Sequence, residues 1–372
     1  MTRHYLDHAS TSPVRPEAVG AMVGWLRSPA ADPSRSHAEG LRARAAVEEA
    51  REQVAALVGA RSREVVFTSG ATEAIAAAVW GASERGRHVV VPAVEHSAVR
   101  EASARAGEVT VVGVDRTGRV DPGEVLAAVR PDTALVHVQW GNHEVGTVQP
   151  VAEVVAGCRE RGVLVHVDAA QAVGHVPVAF DDLGADLLSL SGHKLGGPPG
   201  VGALLVRRGL RLRPLLVGGD QERARRAGLE NVPAVAGLGA AAEAVAGRLD
   251  AEAAEAGRLT GRVAAAAAGM DGVEVYGDPD HRLPHVVCLG LAGVEPQPVL
   301  IGLDRAGIAV HSGNSCSSEA LEPSPVLAAM GVDAARSLRV SVGWSTTDAD
   351  VDAFLAALPP ILADLRALAR QA

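Results

Sequence analysis

The stretch 186–206, DLLSLSGHKLGGPPGVGALLV, decides how this chain folds. An apolar run at 187–190 reads as a buried strand. It breaks into Ser191-Gly192-His193-Lys194, passes through a Gly/Pro-rich turn, and resumes as a second apolar run at 201–206. A lysine between two buried strands is unusual, because lysine is rarely buried without a partner. Desolvation lowers the pKa of such an amine toward the neutral form that a Schiff base needs. Spacing alone gives equal standing to a surface lysine in a Gly-rich hairpin, so the rest of the chain has to decide.

Upstream of this stretch, apolar strands and helical patterns alternate. Strands are predicted at 64–67, 88–91, 109–114, 135–139 and 163–167, and helices at 16–26, 43–58, 72–82, from 97, from 121, and at 151–161. Continuous Val/Leu runs punctuated by helices predict a mainly parallel sheet covered on both faces. Ligands gather beyond the carboxyl ends of the strands in such α/β sheets. Polar clusters stand at those ends: Thr68-Ser69-Gly70-Ala71-Thr72, Glu95-His96, Asn142-His143-Glu144, Asp168-Ala169-Ala170-Gln171 and Ser191-Gly192-His193-Lys194. Past Gly219 the pattern changes to Ala-rich helical segments over 232–269. Shorter strands then follow at 273–276, 285–289 and 338–342, with helices at 297–306, 323–330 and from 347. This predicts a large domain over 14–250 and a smaller α+β domain made of 1–13 and 251–372.

Composition narrows the function classes. A chain of 372 residues has ample length for a large core. Its net charge of −9 disfavours a nucleic-acid-binding surface. No apolar run approaches the ~20 residues of a membrane span, and the opening MTRHYLDHAS lacks the apolar core of a signal peptide. A cytoplasmic enzyme with no direct nucleic-acid or membrane partner is expected. The three cysteines are too few and scattered for a disulfide framework or a zinc site, and no metal is expected. Cys158 and Cys288 read as small core residues, whereas Cys316 lies in the polar run His311-Ser312-Gly313-Asn314-Ser315-Cys316-Ser317-Ser318, where a thiol would be accessible.

Each cluster has a chemical reading beside a bland one. The helix start at Ala71-Thr72 can seat a phosphate on its N–H groups, or be an ordinary cap. Asp168 closes an apolar strand, where a carboxylate needs a cation such as a protonated pyridine nitrogen; it can equally cap a following helix. Gln171 lies one helical turn on. His96 stands at a strand end, where histidine is more often structural than catalytic. Arg339, inside the apolar run 338–343, needs a carboxylate partner, which a substrate would provide. Together these are the parts required by pyridoxal 5′-phosphate, namely a lysine for the Schiff base and an acid for the ring nitrogen.

With those parts in place, the sequence resembles the cysteine desulfurases of the class V aminotransferase fold, in particular the group serving iron–sulfur cluster assembly. The motifs that carry the resemblance run nearly end to end: Tyr5-Leu6-Asp7, 67–73, Glu95-His96, 142–146, 166–171, 191–194, Leu321-Glu322-Pro323-Ser324, and Arg339 with Ser341 and Gly343. The resemblance implies an α/β, PLP-dependent transferase fold of type I, a large domain with a mainly parallel seven-stranded sheet plus a smaller α+β domain. It implies that Lys194 carries the cofactor, Asp168 pairs with the ring nitrogen, Gln171 contacts the ring hydroxyl, and His96 stacks on the ring. Ala71, Thr72, Ser191 and His193 would bind the phosphate, and Arg339 the cysteine carboxylate, with Asn142 and His143 beside it. Cys316 would receive the sulfur as a persulfide, with His96 the candidate base, for delivery to an acceptor protein. The family is homodimeric.

Two positions depart from the family's pattern. His143 replaces a second Asn, bringing a group whose charge varies near neutral pH. Leu229 follows Arg226-Ala227-Gly228 where a Thr is usual, a loss worth about 1 kcal/mol of cofactor contact. Retention of Cys316 favours a desulfurase over a selenocysteine lyase, another class V PLP lyase or aminotransferase, or a degenerate sulfur-transfer scaffold.

Overall fold

The computed structural model describes residues 3–28, 31–312 and 323–370. Its strands, in chain order, are β1 (His4–Tyr5), β2 (Val65–Thr68), β3 (His88–Pro92), β4 (Glu108–Val112), β5 (Thr133–Gln139), β6 (Leu164–Asp168), β7 (Leu187–Ser191), β8 (Gly202–Val206), β9 (Val273–Tyr276), β10 (Val286–Leu291), β11 (Ile308–Ala309), β12 (His311–Ser312) and β13 (Ser337–Ser341).

Seven of them form one sheet in the order β2-β8-β7-β6-β5-β3-β4. Residues alternate between its two faces, and both faces are covered. Val136, Val138, Val165, Val167, Leu188 and Leu190 pack toward the helices Ala38–Leu57 and Val232–Ala246. Leu135, Leu164 and Leu187 pack on the other side toward Ala74 and Ala78 of the helix Ala71–Ala82. β8 runs antiparallel to both of its neighbours. The connection 192–201 is too short for a helical crossover, so the chain has to turn straight back. Gly202 makes that return possible beside the Gly70 turn: a Cβ there would stand 2.5 Å from Leu190 O and 2.8 Å from Gly70 Cα.

The edge strand β2 is protected by side chains, not by another strand. The Phe67 N–H donates to the buried Glu222 carboxylate, and Arg51 donates to Val65 O. Arg51 and Glu222 are themselves ion-paired at 2.7 Å. The pair holds a turn in which Glu222, Arg223 and Ala224 all adopt positive φ, at 49°, 58° and 60°. Nothing in the local sequence announces that conformation; the long-range pair imposes it.

A second sheet, β12-β13-β10-β9, is antiparallel. It packs on Leu259 and Val263 of the helix Leu249–Ala268 and on Phe354, Leu358 and Leu362 of the helix Asp348–Ala369. β1 pairs with β11, and Asp7 bridges to Ser341 of β13. The N-terminal segment therefore runs between the two sheets and reaches the carboxyl edge of the larger one.

Two expectations change here. No helix follows Asp168: residues after it form turns, with the Ala172 and Val173 N–H groups both donating to Ala169 O. The helix expected at 323–330 is confined to Pro325–Ala329, capped by the Ser324 hydroxyl. Cys316 and Leu321-Glu322 lie outside the described residues.

Candidate active site

Parallel strands end on the same side of a sheet, so the polar residues that close β5, β6 and β7 converge. They open onto a cleft of about 500 Å³. Ala71, Thr72, His96, His143, Asp168, Gln171, Ser191, His193, Lys194 and Arg339 all line it, joined by Ala9 and Ser10 of the N-terminal segment. Asn142 does not line it. Its carboxamide is spent on the turn, donating to Val94 O and accepting from the Glu144 and Val145 N–H groups.

Lys194 ends a single turn of 3₁₀ helix, Gly192–Lys194, immediately after β7. Its Nζ donates to Ala9 O and, at 2.9 Å, to Ser10 O. Asp168 is buried at the end of β6, and its Oδ1 accepts from the Ala170 N–H and the Ser189 hydroxyl at 3.0 and 3.1 Å. These bonds fix the carboxylate without neutralising it. Gln171 donates from Nε2 to Ala9 O at 2.9 Å.

The opposite wall carries hydrogen-bonding groups suited to an anion. The helix Ala71–Ala82 begins at Gly70, which has no side chain to cap it, so its first N–H groups are available to an anion. Ser191 Oγ and His193 Nδ1 lie 3.0 Å apart beside it. Burial, helped by the Lys194 charge, lowers the His193 pKa to about 4, so this ring is neutral at pH 7. Burial acts to raise the pKa of Glu73 in the first turn, but hydrogen bonds from Arg226 and Ser69 outweigh it and the net shift is downward. Arg226 cancels its charge at 2.8 Å.

Arg339 is 1% exposed in the middle of β13. The sequence leaves its carboxylate partner to the substrate, but the chain already supplies one. Nη2 donates to Asp7 Oδ1 at 3.0 Å and to Ser10 Oγ at 2.6 Å, and Nη1 donates to His143 O at 2.7 Å. Its Nε is buried with no hydrogen-bond partner among the described residues. His96 caps the helix Ser97–Ala106, its Nδ1 accepting the Ala98 N–H at 3.1 Å. Nε2 therefore carries the ring proton, so toward the cleft His96 is a donor and not the base expected of it. The His96 and His143 rings meet edge to face, 5.0 Å between centroids.

Several participants escape a reading of the sequence. Ala9 and Ser10 reach the cleft, and Asp7 reaches Arg339, only by tertiary folding. Glu95 had a signal in the Glu-His pair but no assigned role. It lies beneath the cleft, 1% exposed, accepting the Gln139 N–H with one oxygen while the other has no partner among the described residues. Burial, with the Asp168 charge adding to it, pushes its pKa up to about 8. Among the described residues no group of three or more His, Cys, Asp or Glu could hold a metal ion.

These burials set an acid limit on stability. Burial lowers His8 and His166 to about 4, against roughly 6.5 when unfolded. Below pH ~6.5 the unfolded chain takes up protons that the fold refuses, so stability is lost as pH falls from there toward 4. Each ring contributes about 1.4 kcal/mol per pH unit in that window. Glu95 has the opposite sign: its neutral form suits the fold, and that contribution is lost as pH rises through about 8. The urea midpoint of the cofactor-free protein is expected to drop clearly between about pH 7 and pH 5. A flat midpoint over that range would contradict the buried, neutral assignment.

Set against known proteins, residues 4–354 match the Aminotransferase class-V family. The relative "Cysteine desulfurase IscS" of Dictyoglomus turgidum is 40% identical, over 98% of this chain and 95% of its own length. Among solved structures, a "NifS-like protein" superposes with a TM-score of 0.91 at 32% identity, covering 98% of this chain and 100% of that one. "SspA in complex with cysteine" superposes with a TM-score of 0.81 at 30% identity, covering 92% of this chain and 100% of that one.

Proposed function

Because the chain belongs to the class-V aminotransferase family and to its cysteine desulfurases, we propose that it takes sulfur from L-cysteine, leaves L-alanine, and passes the sulfur on as a persulfide of Cys316. The observation that carries this reading is the convergence of Lys194, Asp168, the uncapped start of the helix Ala71–Ala82 and Arg339 on one cleft. That so similar a structure as SspA was solved with cysteine supports the substrate.

The family is generally dependent on pyridoxal 5′-phosphate, and this cleft fits it. Lys194 would hold the aldehyde carbon, and Asp168 a protonated ring nitrogen. Gln171 would meet the ring hydroxyl, His96 the ring face, and the Ala71, Thr72, Ser191 and His193 groups the phosphate. When bound, the cofactor supplies the electron sink that allows a proton to leave the amino-acid Cα. The remaining work belongs to the chain. Arg339, oriented by Asp7, Ser10 and the His143 carbonyl, binds the substrate carboxylate and sets the substrate's orientation. Asp168 would hold the ring-nitrogen proton by hydrogen bonding to it. Lys194 is the amine placed to move the proton at Cα. The Cys316 thiolate attacks the substrate sulfur, the Cβ–S bond breaks, and Cβ takes a proton to become the alanine methyl. The balance is cysteine plus thiol giving alanine plus persulfide, with no other oxidant or reductant. A thiol of pKa ~8.5 needs a base to form that thiolate at neutral pH; His96, its Nδ1 spent on the Ala98 N–H, offers the cleft only an N–H, so the base must come with the substrate.

The same reading makes the protein a cytoplasmic homodimer that hands sulfur to an acceptor protein, with iron–sulfur assembly the first use to test. Exposed Trp80, Leu216, Val217 and Leu229 suit a contact with a second copy. Alanine and sulfide released from cysteine are expected in equal amounts. Cys316→Ser is expected to abolish transfer to an acceptor and to cut turnover by about two orders of magnitude or more, the loss of a positioned nucleophile. An undiminished rate in that variant would remove the persulfide step and leave a lyase.

A further inference from the structure

Behind Lys194 lies a pair of histidines that the reaction, as derived above, does not use. His175 follows the turns after β6, and His285 immediately precedes β10, so the two come from opposite sheets. Their rings are stacked, 3.5 Å between centroids and 12° from parallel. His285 is fully buried and His175 partly so. Gly174 allows the stack to form: it sits at φ +88°, and a Cβ there would come within 2.6 Å of Leu195 Cβ.

The hydrogen bonds of the pair fix where every proton sits. A backbone carbonyl can only accept, so the contact of 3.2 Å from His175 Nε2 to Lys194 O requires an N–H on that nitrogen. The same logic runs through Gln171. Its amide contacts Ala9 O at 2.9 Å, which demands that the NH₂ face Ala9. Oε1 then faces His285 Nε2 at 3.2 Å, and that nitrogen must carry the proton. His285 Nδ1 is left bare, and it has no partner among the described residues. The charged groups facing the two rings are Lys194, Arg15 and Arg339, with His8 the remaining imidazole. Burial first, then these cations, keeps both rings neutral; His175 is lowered to about 3.

We propose that the stacked His175–His285 pair is a positioning device that locks the Gln171 amide with its NH₂ toward the cleft, while His175 tethers the backbone of Lys194 on the other side. One N–H of Gln171 goes to Ala9 O. Gln171 lines the cleft, so the other is presented to an acceptor there, which makes this position a donor toward an anionic ring oxygen. Without the His285 N–H, the amide keeps only its anchor to Ala9 O, and its oxygen is no longer held away from that anion. Neither histidine touches the reacting atoms; both act through Gln171 and Lys194.

The inference rests on the cofactor reading above, and the test separates the two. The absorbance of the loaded protein near ~420 nm reports a proton shared between the ring oxygen and the lysine nitrogen. A donor on the oxygen stabilises its negative charge and favours release of that proton. His285→Phe is therefore expected to raise the midpoint of the absorbance pH titration by roughly one unit. Gln171→Leu should raise it by a similar amount, and His285→Gln, which can still donate, should restore the original midpoint. The double variant Gln171→Leu/His285→Phe should titrate with Gln171→Leu alone, because the second residue acts through the first. His285→Asn, polar but too short to reach Gln171, replaces the phenylalanine variant if that does not fold. A loaded His285 variant lacking the donor that titrates like the parent, or shifts that add in the double variant, would overturn the positioning role. A parent protein that takes up no cofactor would overturn the cofactor reading instead.

Discussion

Lys194→Ala is expected to lower cysteine turnover by at least about four orders of magnitude, the joint loss of a positioned acid–base group and of the covalent tether. The absorbance near ~420 nm should disappear after dialysis, because nothing else in the cleft can hold the cofactor covalently by an amine. The fold should survive. Ala9 O keeps its bond from Gln171, so the apo-protein loses only the lysine's own hydrogen bonds, about 1 kcal/mol each. A primary amine added in solution should recover part of the proton transfer without recovering the tether. Turnover that persists in the dialysed variant would mean that the amine driving the reaction is elsewhere in the chain.

Arg339→Leu is expected to be nearly as severe, and for two separable reasons. The guanidinium links His143 O with Asp7 and Ser10 of the N-terminal segment, all of them remote from Arg339 in sequence. Removing it takes the cation from Asp7, whose carboxylate keeps the Ser10 hydroxyl, and leaves His143 O without its donor, costing about 1–3 kcal/mol of stability, read as a lower urea midpoint. It also removes the carboxylate receptor, so KM for cysteine should rise by about 10²-fold or more. Arg339→Lys separates these effects. It retains the charge, but one ammonium cannot span three acceptors in the planar geometry of the original, so it should recover stability more than it recovers KM. If KM stays at the parent value in both variants, the substrate carboxylate is bound by another residue.

Both predictions depend on facts that differ in how they can be known. The lysine stood out because its neighbours along the chain are strongly patterned: two buried strands and a glycine-rich turn within one short stretch. The same local logic placed the helix start at Ala71, the acid at the end of β6, and the change of pattern after Gly219. Hydrophobic periodicity and turn chemistry are properties of adjacent residues, and they survive in a sequence read alone.

Other features were closed to that reading because the partner lies far away in the chain. Arg339 was seen to need a carboxylate, but that the carboxylate is Asp7 follows from β13 lying beside the N-terminal segment. Asn142 has the right chemistry for a ligand and spends it on its own turn. The turn at 222–224 has positive φ because Arg51 holds Glu222 against β2. His175 and His285 are unremarkable until two sheets bring their rings together.

The sequence by itself determined the alternation of strands and helices and the polar clusters at the strand ends, Lys194 among them, since each follows from short-range pattern and residue type. Tertiary structure alone decided the carboxylate that answers Arg339, the positive-φ turn at 222–224, and the way each amide and imidazole faces. Those depend on hydrogen bonds between residues remote in sequence, and a buried donor or acceptor is satisfied by whatever the packed fold brings within about 3 Å of it.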